Sequence, residues 1–164
     1  MAINAYKTLS ITNLDATPIL RANSWVHGGN SKQFAGTVEA VSGDSIGSTY
    51  RFFRVGSWMR PVSLTLFCDA LTSGAADLGL YRSAADGGAV VSQALFASAQ
   101  SVATASTTGI NVRFEADDVA NVEKRIWELL GLTADPNLEY DVALTLTAAL
   151  TASGTLALQG VFSW

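Results

Sequence analysis

Residues 43–47 read Gly-Asp-Ser-Ile-Gly, a G-x-S-x-G string that gives Ser45 the spacing of a nucleophile elbow. In that device the glycines let the serine sit on a tight turn between a strand and a helix, and a histidine later in the chain takes its proton. Here the following segment, STYRFFRV (48–55), has β character, and the only histidine, His27, precedes the serine. The string therefore reads as a turn between two strands. Cys68, the only cysteine, could act as a thiol nucleophile with His27 as base. It shares a strand face with Val62, Leu64 and Leu66, the place of a small buried hydrophobe, and it has no partner for an internal disulfide. His27 stands beside Gly28 and Gly29 and reads as a loop or contact residue, because a transition-metal site normally needs several His or Cys ligands.

Among the acids, Glu139 and Asp141 share a strand face and Asp135 is near, a set of oxygen donors that could suit calcium. No EF-hand or RTX spacing accompanies them, and alternating acids are ordinary on a solvated strand face. Residues i and i+2 of one strand do not flank a cleft, so the pair is no glycosidase acid and base. There is also no glycine-rich phosphate loop with a lysine. An enzyme would need parts that this chain lacks, and no catalytic residue, metal or cofactor is expected.

What remains is surface. The run YRFFRVGSWMRP (50–61) interleaves aromatic residues with arginines, the side-chain types that dominate protein interfaces. On an unbroken strand Tyr50, Phe52 and Arg54 share one face and Arg51, Phe53 and Val55 the other. The run reads either as a contact surface or as a core strand with arginines at its rims. On the first reading the contact residues are Arg51, Phe53, Arg54, Trp58 and Arg60, with Trp25 and His27 from the preceding loop. Exposed tryptophans such as Trp25 and Trp58 would also suit a carbohydrate-binding module.

The 164 residues fit one domain and can bury a core without metal or disulfide. Hydrophobic residues make up 49% and charged ones only 15%, against roughly 25% charged in a usual globular domain. With so few charges, part of the surface is expected to meet another chain. No apolar run is long enough to span a membrane, and MAINAYKTLSITN has no signal-peptide core, so the chain reads as soluble and made in the cytoplasm. The net charge of −4 hides an asymmetry, since residues 1–60 are net basic and residues 61–164 net acidic. The basic residues are dispersed and the pI is acidic, which argues against nucleic-acid binding.

The elements that must carry these residues are mostly strands. Residues 1–35 read as an N-terminal arm, with NSWVHGGNSKQFAG as an exposed loop, and residues 36–164 as one domain. Strand patterns follow at GTVEAV (36–41), STYRFFRV (48–55), PVSLTLFCD (61–69), ADLGLYR (76–82) and GINVRF (109–114). The last alternates Ile110, Val112 and Phe114 with polar partners. One helix is expected near 118–130, its stripe formed by Val119, Val122, Ile126, Leu129 and Leu130. Asp117 or Asp118 caps its start, Gly131 ends it, and Lys124 and Glu128 pair on its outer face. A long terminal hairpin is expected from LEYDVALTLTAAL and TLALQGVFSW, joined by TASG. Between these, residues 69–89 are rich in small side chains, which suits close backbone approach within the fold or a flat contact between subunits. The pattern predicts an all-β, mainly antiparallel sandwich of jelly-roll type.

The strings ATPILRAN, GTVEAVSGDSIGSTYRFFRV, CDALTSGAADLGLYRSAADGGAVV and WELLGLTADPNLEYDVALTLTAAL together resemble the head decoration, or cement, proteins of tailed bacteriophages. The resemblance spans most of the chain, although no string is a motif with its own chemistry. It implies a jelly-roll sandwich on the outside of an expanded capsid, binding across boundaries between copies of the major capsid protein. It also implies a virion location, self-association with a dimer favoured, and no catalytic residues.

Overall fold

A computed structural model describes residues 7–20 and 29–164. Among the described residues, eight strands form two four-stranded antiparallel sheets. They are β1 (Ser31–Ala40), β2 (Thr49–Gly56), β3 (Arg60–Cys68), β4 (Ala75–Arg82), β5 (Val90–Ser101), β6 (Ser106–Asn111), β7 (Glu139–Ala148) and β8 (Gly154–Ser163). One sheet has the order β1-β8-β3-β6 and the other β2-β7-β4-β5. Successive strands thus alternate between sheets through most of the chain, the two-Greek-key order of a jelly roll. The expected sandwich is present.

Alternation explains the core. Leu64, Leu66 and Cys68 of β3 and Leu156, Leu158 and Phe162 of β8 point inward from one sheet. Leu78 and Leu80 of β4 and Val142, Leu144 and Leu146 of β7 meet them from the other. Phe34, Phe53 and Phe162 close one side of the core, with ring centroids 5.3 to 6.1 Å apart. Cys68 is buried among these residues, and burial raises its thiol pKa, consistent with the packing role read from sequence.

Several expectations change. β1 begins at Ser31, inside the stretch read as loop, because β8 pairs with it from Ser31↔Ser163 to Ala40↔Gly154. β5 has no counterpart in the sequence reading. Its register against β4 jumps from Ser92 opposite Leu80 to Ala97 opposite Leu78, and such bulges erase the period of two. The terminal hairpin does not form: β7 pairs with β2 and β4, whereas β8 pairs with β1 and β3 in the other sheet. The connection is anchored at Leu150, whose N–H donates to the Asp44 carbonyl while its own carbonyl accepts from the Gly43 N–H.

The helix near 118–130 is also shorter than its stripe suggested. A 3-10 turn at Val119–Asn121, capped by Asp118, is followed by a single α-helical turn, Ile126–Leu129, preceded in the chain by a first short helix at Leu9–Leu14. Ile126 is buried, but Val119 is 72% exposed and Val122 47%. Glu128 accepts from the Arg125 N–H and pairs with the Arg125 side chain, not with Lys124. Arg113 explains the break. It follows β6, is fully buried instead of lying on a polar face, donates Nε to the Pro61 carbonyl, and pairs with Asp117. Arg113 Nη2 also donates to the Asn121 carbonyl, which a continuous helix would give to the Arg125 N–H, so residues 113–121 are tied to the start of β3 instead.

In the small-residue stretch, Gly79 supplies the reason for its smoothness. A Cβ there would lie 2.0 Å from the Ser92 carbonyl oxygen and 2.3 Å from that of Gln93. The bulged part of β5 therefore lies directly on β4, the intramolecular use of small residues.

Candidate functional site

The arginines of β2 converge through an irregularity in the strand. Arg51 lies opposite Ala143 and Phe53 opposite Val142, so Phe52 is an extra residue. This bulge shifts the alternation by one. Arg51 and Arg54 come to the same outward face, and Tyr50, Phe53 and Val55 turn inward, which corrects the unbroken-strand assignment of faces.

Asp141 of β7 sits between the two arginines. Arg54 Nε donates to Oδ1 at 2.7 Å and Arg51 Nη1 to Oδ2 at 2.9 Å. Arg51 is further held by the carbonyls of Arg82 at 2.8 Å and Gly88 at 2.9 Å, and lies over the Tyr81 ring. Burial pushes the Asp141 pKa up, but hydrogen bonds and charge from Arg54 and Arg51 outweigh it and leave the carboxyl below its ordinary value. The Arg54 pKa is raised in turn, chiefly by its hydrogen bond to Asp141.

The two arginines differ in what they can still do. Arg51 is spent on internal partners. Arg54 is 46% exposed at its side chain and uses Nε alone, and among the described residues its Nη donors have no protein partner. Arg51, Phe52, Phe53, Arg54 and Asp141 line an open depression of about 330 Å³. Its shape and donors suit a side chain or carbonyl of another protein.

The other candidates are placed apart. Phe53 belongs to the aromatic cluster. Trp58, in the turn between β2 and β3, is half-buried and folds over Gly56, where a Cβ would meet its ring at 2.4 Å. Arg60 begins β3 and donates to Ser163 Oγ and the Val122 carbonyl. Trp25 and His27 lie outside the described residues. Ser45 is exposed in the loop between β1 and β2, with Gly43 and Gly47 at positive φ. The suggested acid cluster is dispersed, since Asp141 pairs with the arginines and Asp135 accepts from Ser57. Sequence reasoning missed Asp141 as the hub, because it set β7 in a hairpin with β8 and not beside the arginine-bearing β2.

The sandwich is similar to a capsid chain of a cyanophage. The match is to a structure described as the cyanophage Pam1 capsid asymmetric unit, with TM-score 0.54 and 16% identity, covering 88% of this chain and 91% of that one. A chain from the acid-stable capsid of Helicobacter pylori bacteriophage KHP30 gives TM-score 0.38 and 10% identity over 82% and 94% of the two chains. At such identity the cyanophage likeness is one of fold. No protein-family model matches the chain, and no curated protein matches it.

Proposed function

We propose that this protein is a structural component of a phage virion that binds the outside of the expanded capsid and cements neighbouring copies of the major capsid protein. The observation that carries the reading is the near full-length likeness in fold to a chain of a phage capsid. The exposed Arg54 beside an open depression supplies a contact of the right chemistry, able to take a carboxylate or carbonyl from the shell.

Clamping works by repetition. Each contact is modest, but neighbouring sites on a lattice are held at high effective concentration, so a protein bridging subunits gains avidity without new chemistry. Selective binding to the expanded shell stabilises that shell by mass action.

Co-sedimentation with capsids from the same source lacking this protein tests the reading. The expected result is saturation at a fixed ratio to capsid subunits, with weaker binding to unexpanded shells. Absence of binding to either form overturns it. Replacing Arg51, Arg54 and Trp58 together would disturb several internal contacts, so Arg54→Ala, which breaks the single bond to Asp141, is the variant to use. It is expected to weaken capsid binding roughly 5- to 30-fold, beside a modest drop in the unfolding midpoint from the lost bond to Asp141 that leaves the chain folded under the binding conditions.

A further inference from the structure

We infer that the free edge of β1 takes an extended segment of the capsid shell as an added strand. The inference rests on the capsid reading and names how that contact is made. A sheet edge carries unpaired N–H and C=O groups, and folded proteins ordinarily blunt it with bulges, charges or short strands. Three of the four edges here are blunted in this way. β2 is bent at Phe52, β5 shifts register repeatedly against β4, and β6 is six residues long with a shift between Leu66 and Cys68 of its partner. β1 is different: it runs for ten residues in unbroken register with β8, from Ser31 opposite Ser163 to Ala40 opposite Gly154.

The phase of the ladder fixes which groups of β1 are free. The Trp164 N–H donates to the Asn30 carbonyl, so the position just before Ser31 and Ser163 is a hydrogen-bonded pair, and antiparallel pairs alternate from there. Phe34, Gly36 and Val38 therefore bond to Gly160, Leu158 and Leu156 of β8. Gln33, Ala35 and Thr37 aim their N–H and C=O groups the other way, out of the sheet, and among the described residues no group bonds to them. All three residues are exposed. Their amides recur at every second residue, about 6.8 Å apart, a spacing that another extended backbone matches.

The side chains define what that segment carries. From Gln33 to Val38 the strand has no charge; Lys32 precedes this stretch with its ammonium over the Phe34 ring, and Glu39 follows it, accepting from Thr155 Oγ1. A neutral segment of the same length fits alongside. On the outer face a depression of about 230 Å³ is lined in part by Gln33, Ala35, Gln159 and Val161. Only the methyl of Ala35 stands between the edge and its middle, so a large apolar or aromatic side chain opposite Ala35 on the added strand reaches across into it. The β1 strand of a second copy would bring Gln33, Ala35 and Thr37 to that face, none of them bulky and apolar. The segment thus belongs to a different chain, whose backbone supplies affinity and whose one large side chain supplies selectivity.

Hydrogen–deuterium exchange on the full chain, free and bound to expanded capsids from the same source that lack it, tests the inference. In the free protein the amides of Gln33, Ala35 and Thr37 are expected to exchange fast and those of Phe34, Gly36 and Val38 slowly; on the shell the first three are expected to slow at least tenfold. Ala35→Pro removes one outward N–H and no bond to β8, at an edge position where proline is tolerated after an extended residue. It is expected to weaken co-sedimentation at least tenfold with its fold intact by circular dichroism, whereas Ser45→Ala, an exposed loop change, leaves binding unchanged. The wild-type exchange decides the matter whether or not the proline variant folds. A wild type that co-sediments while Gln33, Ala35 and Thr37 exchange as in the free protein overturns the inference and leaves the capsid reading standing. A wild type that co-sediments with neither shell form overturns both. Slowing of the same amides by concentration alone, without shells, assigns the edge to a second copy and also overturns the inference.

Discussion

Asp141 holds the outer layer of its sheet together by accepting from two arginines, and this makes it a source of acid sensitivity. Its pKa is lower in the folded chain than in the unfolded one, so the stability it contributes is present above about pH 4 and is lost as pH falls through the folded value. Asp141→Asn is expected to lower stability at pH 7 by about 2 kcal/mol and to flatten the decline between about pH 5 and 2, read by urea unfolding at each pH. Arg113 and Asp117 form a second pair, deeper in the molecule, with side chains 0% and 7% exposed. Asp117→Ala leaves a buried cation unpaired and is expected to cost about 3–5 kcal/mol. Adding Arg113→Met is expected to recover part of that loss, because the uncompensated charge goes with it.

At the scale of elements, bulges decide which side chains meet. Phe52 inserts into β2 and brings Arg51 and Arg54 to one face, and the longer irregularity of β5 places its carbonyls on Gly79. Gly79→Ala is expected to cost about 3 kcal/mol, because the obstacle is backbone of a paired strand and cannot rotate away. Gly43→Ala is the comparison. That position has φ +97° with nothing within 4 Å of a Cβ, so only the conformational penalty applies, about 1–2 kcal/mol. Thermal unfolding of the two variants separates close approach from backbone conformation.

For the whole molecule, the interleaved topology means that most strand pairs join distant parts of the chain, such as β1 with β8 and β2 with β7. Loop closure precedes the contacts that reward it, so refolding is expected on the millisecond-to-second scale typical of sandwiches, measurable by stopped-flow fluorescence of the tryptophans. The same interleaving leaves the molecule with two unlike exteriors. One is sealed by its own polar layer and offers Arg54; the other leaves Ala35, Thr37 and Gln159 open to solvent.

Residue pattern alone determined the sandwich and most of its strands, because a period of two sorts Leu64, Leu66 and Cys68 from Ser63 and Thr65 wherever a strand is regular. It also led to Ser45 being read as a turn residue and Cys68 as a buried hydrophobe, and the structure sets the first in an exposed loop and the second in the core. Tertiary structure decided the rest for identifiable reasons. Bulges at Phe52 and along β5 break the period that sequence reading depends on, so the convergence of Arg51 and Arg54 on Asp141 and the existence of β5 were hidden. Apolar spacing at Val119 and Val122 imitates a helix face, but the buried Arg113–Asp117 pair holds that chain in a turn and leaves both valines in solvent. β7 and β8 each alternate as a hairpin would. Only the competition among all eight strands for partners sends them to opposite sheets, and that choice is made by packing, which no local pattern encodes.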